Sequence, residues 1–478
     1  MDNTAQVITN EKHEADADRI FRLQRQAYRQ NPYPSYQERR GNLVRLEKLL
    51  TDNQKAISDA ISKDFGNRSQ QETELLELFL SIDGLRYARK KLKRWMKPQR
   101  RSVSIWFAGA SNKVLPQPKG IVGLIAPWNY PLFLVMTPLA NILAAGNRCM
   151  VKMATNSQHL AKLLSTLVKQ EFPEDTLAIL PGVKACEFTP LPFDHIVFTG
   201  SPESGKIVMR TAAENLVPVT LELGGKSPTI ICDDFDLKTA AERVVQGKFL
   251  NAGQTCVAPD YVCVPEQKVS EFIELSKGLI EKRYGNLETD DYTSIIDEKA
   301  FNRLTDILDD AQSKGASIIP LLKGEGKNES IRKIAPHLVT DTSPDMTLMK
   351  QEIFGPILPV KPYKNLDDVL SYINDNERPL ALYLFSNDKA IQDKIIKNTI
   401  SGGVCINETV LHAGQHDMPF GGIGNSGMGH YHGQEGFNEF SKLRPIFKQF
   451  KFSALPLLYP PYGKVFSFIY QLMIKLKI

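Results

Sequence analysis

Apolar residues recur at helical spacing through much of the first hundred positions. They do so over 38–50, 54–64 and 72–92, and each stretch predicts a helix with one buried face. Between 106 and 120 the run WFAGASNKVLPQPKG is punctuated by Gly and Pro and predicts a hairpin or arm. From Gly120 the texture changes. Short apolar, β-branched runs at 120–127, 149–154, 176–180, 195–200, 217–223 and 227–234 alternate with helical stretches, one of which, 131–145, ends at Gly146. Strands apolar on both faces and alternating with helices predict a parallel sheet covered on both sides, the α/β class. The second half repeats the texture, with helices over 270–284 and 299–314 and strands over 316–322, 357–363, 381–386 and 402–407. A second α/β unit is expected, without internal sequence repeat. After Phe437 the pattern loosens, passes LLYPPYG at 457–463 and ends in an apolar, lysine-tipped segment, VFSFIYQLMIKLKI. That segment is much shorter than the roughly 20 residues of a spanning helix, so no transmembrane crossing is predicted.

At 478 residues the chain is too long for one ordinary core, and two or three packed domains are expected. A hydrophobic share of 42% and a charged share of 24% are ordinary for a globular protein and exclude general disorder. The 59 basic and 54 acidic residues are nearly balanced, and no stripe of Lys/Arg interleaved with aromatics appears, which argues against nucleic acid as a partner. The basic run 86–100 reads as a solvated helix face ending near Pro98. Cysteines at 149, 186, 232, 256, 263 and 405 form no CxxC and no zinc spacing, and no HExxH occurs, so no metal site is expected. The polar, acidic N-terminus lacks the apolar core of a signal peptide, and a cytoplasmic protein with free thiols is expected.

Three motifs carry candidate chemistry. In GQTCVAPD (253–260), Cys256 lies in a Gly/Gln/Thr loop, where a partly exposed thiol can serve as a nucleophile. A lone cysteine is more often a small buried hydrophobe. In LELGGKSP (221–228), Glu222 ends a β-branched strand beside paired glycines, where a carboxylate can act as a general base towards water. The plainer reading is an acid paired with Lys226 or capping a turn. In APWNYPL (126–132), Asn129 lies between a strand end and a proline-initiated helix, and its amide can donate to a developing oxyanion. A helix N-cap is the plainer reading there. FTGSPESG (198–205), QEIFGP (351–356) and PFGGIGNSGMGHYHG (419–433) are further pieces of the same kind.

Taken together and in order, PWNYP, FTGS, LELGGKSP, GQTC, EIFGP and PFGGIGNSG resemble the aldehyde dehydrogenase superfamily from about Lys119 to Ser441, and the 34 residues from Glu222 to Cys256 are a family-like spacing. The short N-terminus, NAGQTCVAPDYV, LPFDHIVFTGS, NSGMGHYHGQEGF and LLYPPYG are similar to the branch of fatty and coniferyl aldehyde dehydrogenases. The resemblance implies a Rossmann-like cofactor domain, an α/β catalytic domain and a protruding β oligomerisation arm. It implies that Cys256 attacks the aldehyde, that Asn129 and the Cys256 N–H hold the oxyanion, and that Glu222 activates the water that hydrolyses a thioester. NAD or NADP is the implied cofactor. Glu352 would meet the nicotinamide ribose, with Phe354 close to the ring, Lys152 would meet the adenosine ribose, and Trp128 and Thr155 would also bind the cofactor. Gly200, Ser201 and Gly205 would form the turn at the pyrophosphate, which in this family replaces a GxGxxG fingerprint. One departure stands out: the family's K-P-x-E is here Lys152-Met153-Ala154-Thr155, so Thr155 replaces the acid that would repel a 2′-phosphate.

The expected organisation is a cofactor domain over 1–99 and 118–222, a catalytic domain over 223–437, an arm at 100–117 and a tail from 438 to 478 that helps pack a homodimer. Two rival functions are a CoA-acylating dehydrogenase, against which Glu222 speaks, and a binding protein that has lost catalysis, against which the intact site residues speak. The tail suggests one more partner. Val465, Phe466, Phe468, Ile469, Leu472, Met473, Leu476 and Ile478, with Lys464, Lys475 and Lys477 near the ends, can form an apolar stripe for peripheral membrane contact. Packing on a partner subunit is the plainer alternative.

Overall fold

The computed structural model describes residues 3–324, 326–451 and 455–476, with side chains from residue 16 onward. Three larger sheets organise it, beside a two-stranded pairing of Lys327–Asn328 with Lys333–Ile334. The first holds six strands in the order Gly427–Met428, Val219–Glu222, His195–Thr199, Ile121–Ile125, Arg148–Lys152, Leu177–Ile179. Its five longer strands run parallel, and Gly427–Met428 closes one edge antiparallel to Leu221 and Glu222. From Ile121–Ile125 the chain moves outward through Arg148–Lys152 to Leu177–Ile179, then crosses back to place His195–Thr199 on the other side. This reversal is the topological switch point of an open α/β sheet, where the carboxyl ends of two neighbouring strands diverge and leave a crevice. The apolar helix Phe133–Ala145 is buried along its whole length, as its lack of a polar face requires.

The second sheet holds seven strands in the order Ser317–Pro320, His337–Thr340, Ile357–Tyr363, Tyr261–Pro265, Pro228–Ile231, Ala381–Phe385, Gly403–Ile406, parallel except for Ser317–Pro320. The third is a small antiparallel sheet of Gln99–Arg101, Ser111–Pro118 and Ser441–Lys448. The stretch read as a hairpin or arm at 106–120 supplies one strand, Ser111–Pro118, which pairs with Gln99–Arg101 before it and with Ser441–Lys448 from the segment read as tail.

Two helical readings change. The N-terminal stretch, read only as polar, forms the helix Asn3–Gln30, whose buried residues Ala17, Ile20, Phe21, Gln24 and Ala27 make one narrow stripe. That stripe packs on the first sheet, with Phe21 edge-on to Phe193 at 5.5 Å and the Gln24 amide donating to the carbonyls of Cys149 and Glu174 at 3.0 Å each. The helix read over 72–92 is broken by a π-helical turn, Glu74–Phe79, between Gln70–Thr73 and Leu80–Trp95. The extra residue per turn rotates Glu77 into the core, and Leu75 and Phe79 outward. The C-terminal segment forms the helix Lys464–Lys475, and Lys477 and Ile478 lie outside the described residues. Among the described residues no helix is long and apolar enough to cross a membrane.

Candidate active site

The carboxyl ends of the first sheet face the amino ends of the second, and loops from both edges meet. Strand Ile121–Ile125 leads into Trp128 and Asn129, His195–Thr199 leads into Gly200 and Ser201, and Val219–Glu222 ends on Glu222 itself. From the other side, the loop before Tyr261–Pro265 brings Cys256, and the loop before Ile357–Tyr363 brings Glu352 and Phe354. All eight line one cavity of about 280 Å³. Three predicted cofactor residues lie outside its walls. Lys152 is buried at the end of its strand, its ammonium donating to the Met153 carbonyl at 3.2 Å. Thr155 is exposed in the turn that follows. Gly205 is buried in the first turns of the helix Pro202–Ala213, where a Cβ would stand 2.8 Å from Leu223 Cδ2.

Glu222 is 2% exposed, and neither carboxylate oxygen has a full hydrogen-bond partner. Burial raises its proton affinity well above the ordinary carboxyl range, opposed only by the Gly422 backbone N–H. Burial, reinforced by the negative potential of Glu352 and Glu222, pushes the Cys256 thiol up to about 12. Cys256 is thus held as a thiol, with its proton on sulfur.

The Cys256 loop is tightly determined. Asn251, Ala252 and Gly253 adopt left-handed backbone in succession, with φ of 52°, 52° and 75°. A Cβ at position 253 would fall 2.2 Å from the Gly355 carbonyl oxygen, so glycine lets the loop lie directly on that of Glu352 and Phe354. The buried Gln254 amide donates to the carbonyls of Asn251 and Ser294 and accepts from the Ile296 N–H, at 3.0–3.1 Å. The Asn129 amide commits one N–H to the Gln254 carbonyl at 3.2 Å, so it is held beside the nucleophile's loop with a second N–H still to donate.

Sequence reasoning missed the group that holds these loops together. Arg68 and Glu77 form an ion pair at 2.6 Å with both side chains 0% exposed. Arg68 also donates to the Asn129 carbonyl at 2.9 Å, and its guanidinium lies over the rings of Phe65 and Tyr130. The other Glu77 oxygen accepts from the N–H groups of Leu132 and Phe133, at 2.6 and 3.1 Å. Glu72 accepts from the Asn251 N–H and the Thr293 hydroxyl, each at 3.1 Å. The one signal in the sequence was the single acid inside the run LLELFL (75–80). The cavity walls also include Leu134, Arg303, Leu380, Phe420 and Tyr431, which the motifs did not single out.

Comparison with known proteins gives this arrangement a family. The model of the aldehyde dehydrogenase family matches residues 2–446. A Pseudomonas aeruginosa protein named "Probable coniferyl aldehyde dehydrogenase" is 49% identical over 460 residues, which cover 95% of this chain and 96% of that one. The substrate-bound structure of Staphylococcus aureus AldH superposes with a TM-score of 0.90 at 34% identity, covering 95% of this chain and 99% of that chain. The NAD+ complex of an aldehyde dehydrogenase from Bacillus cereus does so with a TM-score of 0.83 at 26% identity, covering 92% and 89%. A two-sheet α/β architecture with a small third sheet, a cavity at the seam and a family match over nearly the whole chain lead to one conclusion: this protein belongs to the aldehyde dehydrogenase family, oxidoreductases that act on aldehydes with a nicotinamide cofactor.

Proposed function

We propose that the protein oxidises an aldehyde to its carboxylic acid with NAD+ or NADP+, through a thiohemiacetal and a thioester on Cys256. The observation that carries this reading is one cavity uniting a thiol, a held amide donor and a buried, unpartnered carboxyl. The Cys256 sulfur bonds to the carbonyl carbon as its proton passes to water and the carbonyl π pair moves onto oxygen. The oxygen that becomes anionic is held by the second Asn129 N–H and the Cys256 backbone N–H. A nicotinamide cofactor, when bound, supplies the acceptor for the hydride whose loss leaves a thioester. Glu222 then takes a proton from water, the hydroxide adds to the acyl carbon, and the C–S bond breaks to release the acid and regenerate the thiol.

The residues present fit such a cofactor. Gly200 and Ser201 lie at the crevice of the switch point, and Ser201 caps the helix Pro202–Ala213, whose free N–H groups suit a pyrophosphate. Phe354, at φ 48°, packs edge-on to Trp128 with ring centres 5.4 Å apart and closes the wall beside Glu352. A Cβ at Gly224 would fall 2.0 Å from Glu352 Oε2, so that carboxyl is backed directly by main chain. The aromatic lining of Trp128, Phe354, Phe420 and Tyr431 supports an aromatic aldehyde such as coniferyl aldehyde, the substrate in the name of the Pseudomonas relative. A medium- or long-chain aliphatic aldehyde is the next choice. A cytoplasmic homodimer is the proposed working form.

The test is aldehyde-dependent formation of NAD(P)H with acid as the product, on coniferyl aldehyde, benzaldehyde and a long-chain aldehyde. Cys256→Ala is expected to lose activity by at least about a thousandfold, while alanine at the five other cysteines keeps most of it. Substantial turnover in Cys256→Ala defeats the mechanism. Acyl-CoA formed on addition of CoA would replace hydrolysis by acyl transfer.

A further inference from the structure

We propose that the helix Lys464–Lys475 is a membrane-surface anchor that lies in the head-group layer of an anionic phospholipid bilayer without crossing it. The inference does not depend on which aldehyde is oxidised. Its first support is charge. From Ser441 to the last residue the chain holds six lysines and one arginine and not one aspartate or glutamate. That segment alone supplies more than the whole net charge of +5, so the rest of the chain is near balance. The longer stretch 84–170 is free of acids too, but it lies in and around the first sheet, so what sets this segment apart is positive charge joined to exposed apolar side chains.

The second support is the distribution of side chains around the helix. Lys464, Ser467, Gln471 and Lys475 follow one another at three- and four-residue steps and form one polar stripe. Every other position from Val465 to Ile474 is apolar or aromatic. Water is a poor solvent for that surface, yet Val465 is 57% exposed, Phe468 70% and Ile474 64%. The helix packs against the preceding turn, Leu455–Leu458; Phe466 stacks on Tyr470 at 6.2 Å, and Tyr462, just before the helix, leans tilted on Phe466 at 5.0 Å.

Length decides how such a helix can use a bilayer. Its 12 residues extend about 18 Å, well short of the roughly 30 Å hydrocarbon core. It must therefore lie in the interface, apolar side down, with Lys464 and Lys475 at its two ends reaching back to phosphate. A second copy of the chain is a poorer occupant for tail against tail, because each copy brings a segment with basic residues and no acid to pair with the other's. An anionic lipid surface satisfies both the charge and the apolar side.

The test is cosedimentation of the purified full-length chain with sucrose-loaded vesicles of phosphatidylcholine containing about 30% phosphatidylglycerol, and with vesicles of phosphatidylcholine alone. Binding is expected to be at least about tenfold tighter to the anionic vesicles, and to weaken about tenfold in roughly 0.5 M salt. The double variant Phe468→Glu, Leu472→Glu should lose binding while oxidising a water-soluble aldehyde at the wild-type rate. Phe468→Trp should show a blue-shifted emission on adding anionic vesicles and none with phosphatidylcholine. No binding to anionic vesicles at low salt, equal binding to both kinds, or undiminished binding of the double variant overturns the proposal. So does a wild-type dimer that becomes monomeric in the double variant with no vesicle binding in either, which would assign the helix to a partner subunit.

Discussion

Glu222 holds its proton more firmly in the folded chain than in the unfolded one, because burial penalises the charged form. A carboxyl raised in this way favours the native state at low pH, and that advantage is lost as pH rises through the raised value. Two consequences follow at this residue. Deacylation should accelerate with pH through a range above that of ordinary carboxyls, as the base form appears. Glu222→Gln should give one burst of NAD(P)H, stall as a thioester and lose that limb of the profile, and an unchanged steady state would assign water activation elsewhere. In parallel, thermal melts should show Glu222→Gln gaining on the wild type as pH rises, since the variant has no charge to bury; a pH-independent difference would contradict the sign. A second prediction at this scale concerns Thr155 and the choice of cofactor. Thr155 is exposed after Lys152, whereas the Asn156 amide is turned to Asp297 at 3.1 Å and Ser157 is buried. With no acid to repel a 2′-phosphate, NADP+ should serve at least as well as NAD+. Thr155→Glu should shift the ratio of catalytic efficiencies towards NAD+ by about tenfold. Strict NAD+ use by the wild type would contradict this, and an unchanged ratio would move the determinant to another loop.

The π-helical turn Glu74–Phe79 acts through what it aims inward. Glu77 joins Arg68 and the start of the Leu132–Phe133 segment, Arg68 holds the Asn129 carbonyl, and Glu72 holds Asn251, so one short stretch ties the Asn129 loop to the Cys256 loop. Glu77→Gln keeps the shape but leaves the Arg68 charge buried without its partner, a loss of about 3–5 kcal/mol. The melting temperature should fall, and kcat should drop by about tenfold or more with the KM for cofactor nearly unchanged, because the loops that shift carry the reacting groups. A KM effect alone would make Glu77 a purely structural residue. Little of this was legible in the sequence: the acid inside LLELFL was the one sign of a buried charge, and Arg68, in the loop between two helices, carried no pattern that paired it with Glu77. The strands and helices that were legible are those with long, strongly periodic or continuous apolar runs, such as Ile121–Ile125 and Phe133–Ala145. Asn3–Gln30 escaped because its buried stripe is thin within a charged stretch, and His337–Thr340 because it is too short to show a period. Cys256, Glu222 and Asn129 were legible as a set, by order and spacing, and not one of them alone. What brings them together is a seam between two sheets, a long-range property that no local pattern encodes.

At the scale of the whole molecule, the last third of the chain returns to complete what the first two-thirds began. Gly427–Met428 closes the edge of the first sheet, and Ser441–Lys448 covers one side of Ser111–Pro118 with eight paired residues, from Ser441 on Pro118 to Lys448 on Ser111. The covering strand carries Lys442, Arg444, Pro445 and Lys448, residues that discourage further pairing at an exposed edge. A chain ended after Phe440 should leave Ser111–Pro118 open and elute as aggregates, while one ended after Gln449 should elute like the full-length protein and melt close to it. Equal behaviour of the two would show that the edge needs no cover. The return of Gly427–Met428 also has a meaning in time. A ribosome adds roughly 5–20 residues each second, so some 10–40 s separate the emergence of Glu222 from that of the strand that pairs with it. Throughout that interval the nascent chain carries an unpaired, apolar edge that includes Glu222, and survival through translation depends on whatever shields that edge until synthesis catches up.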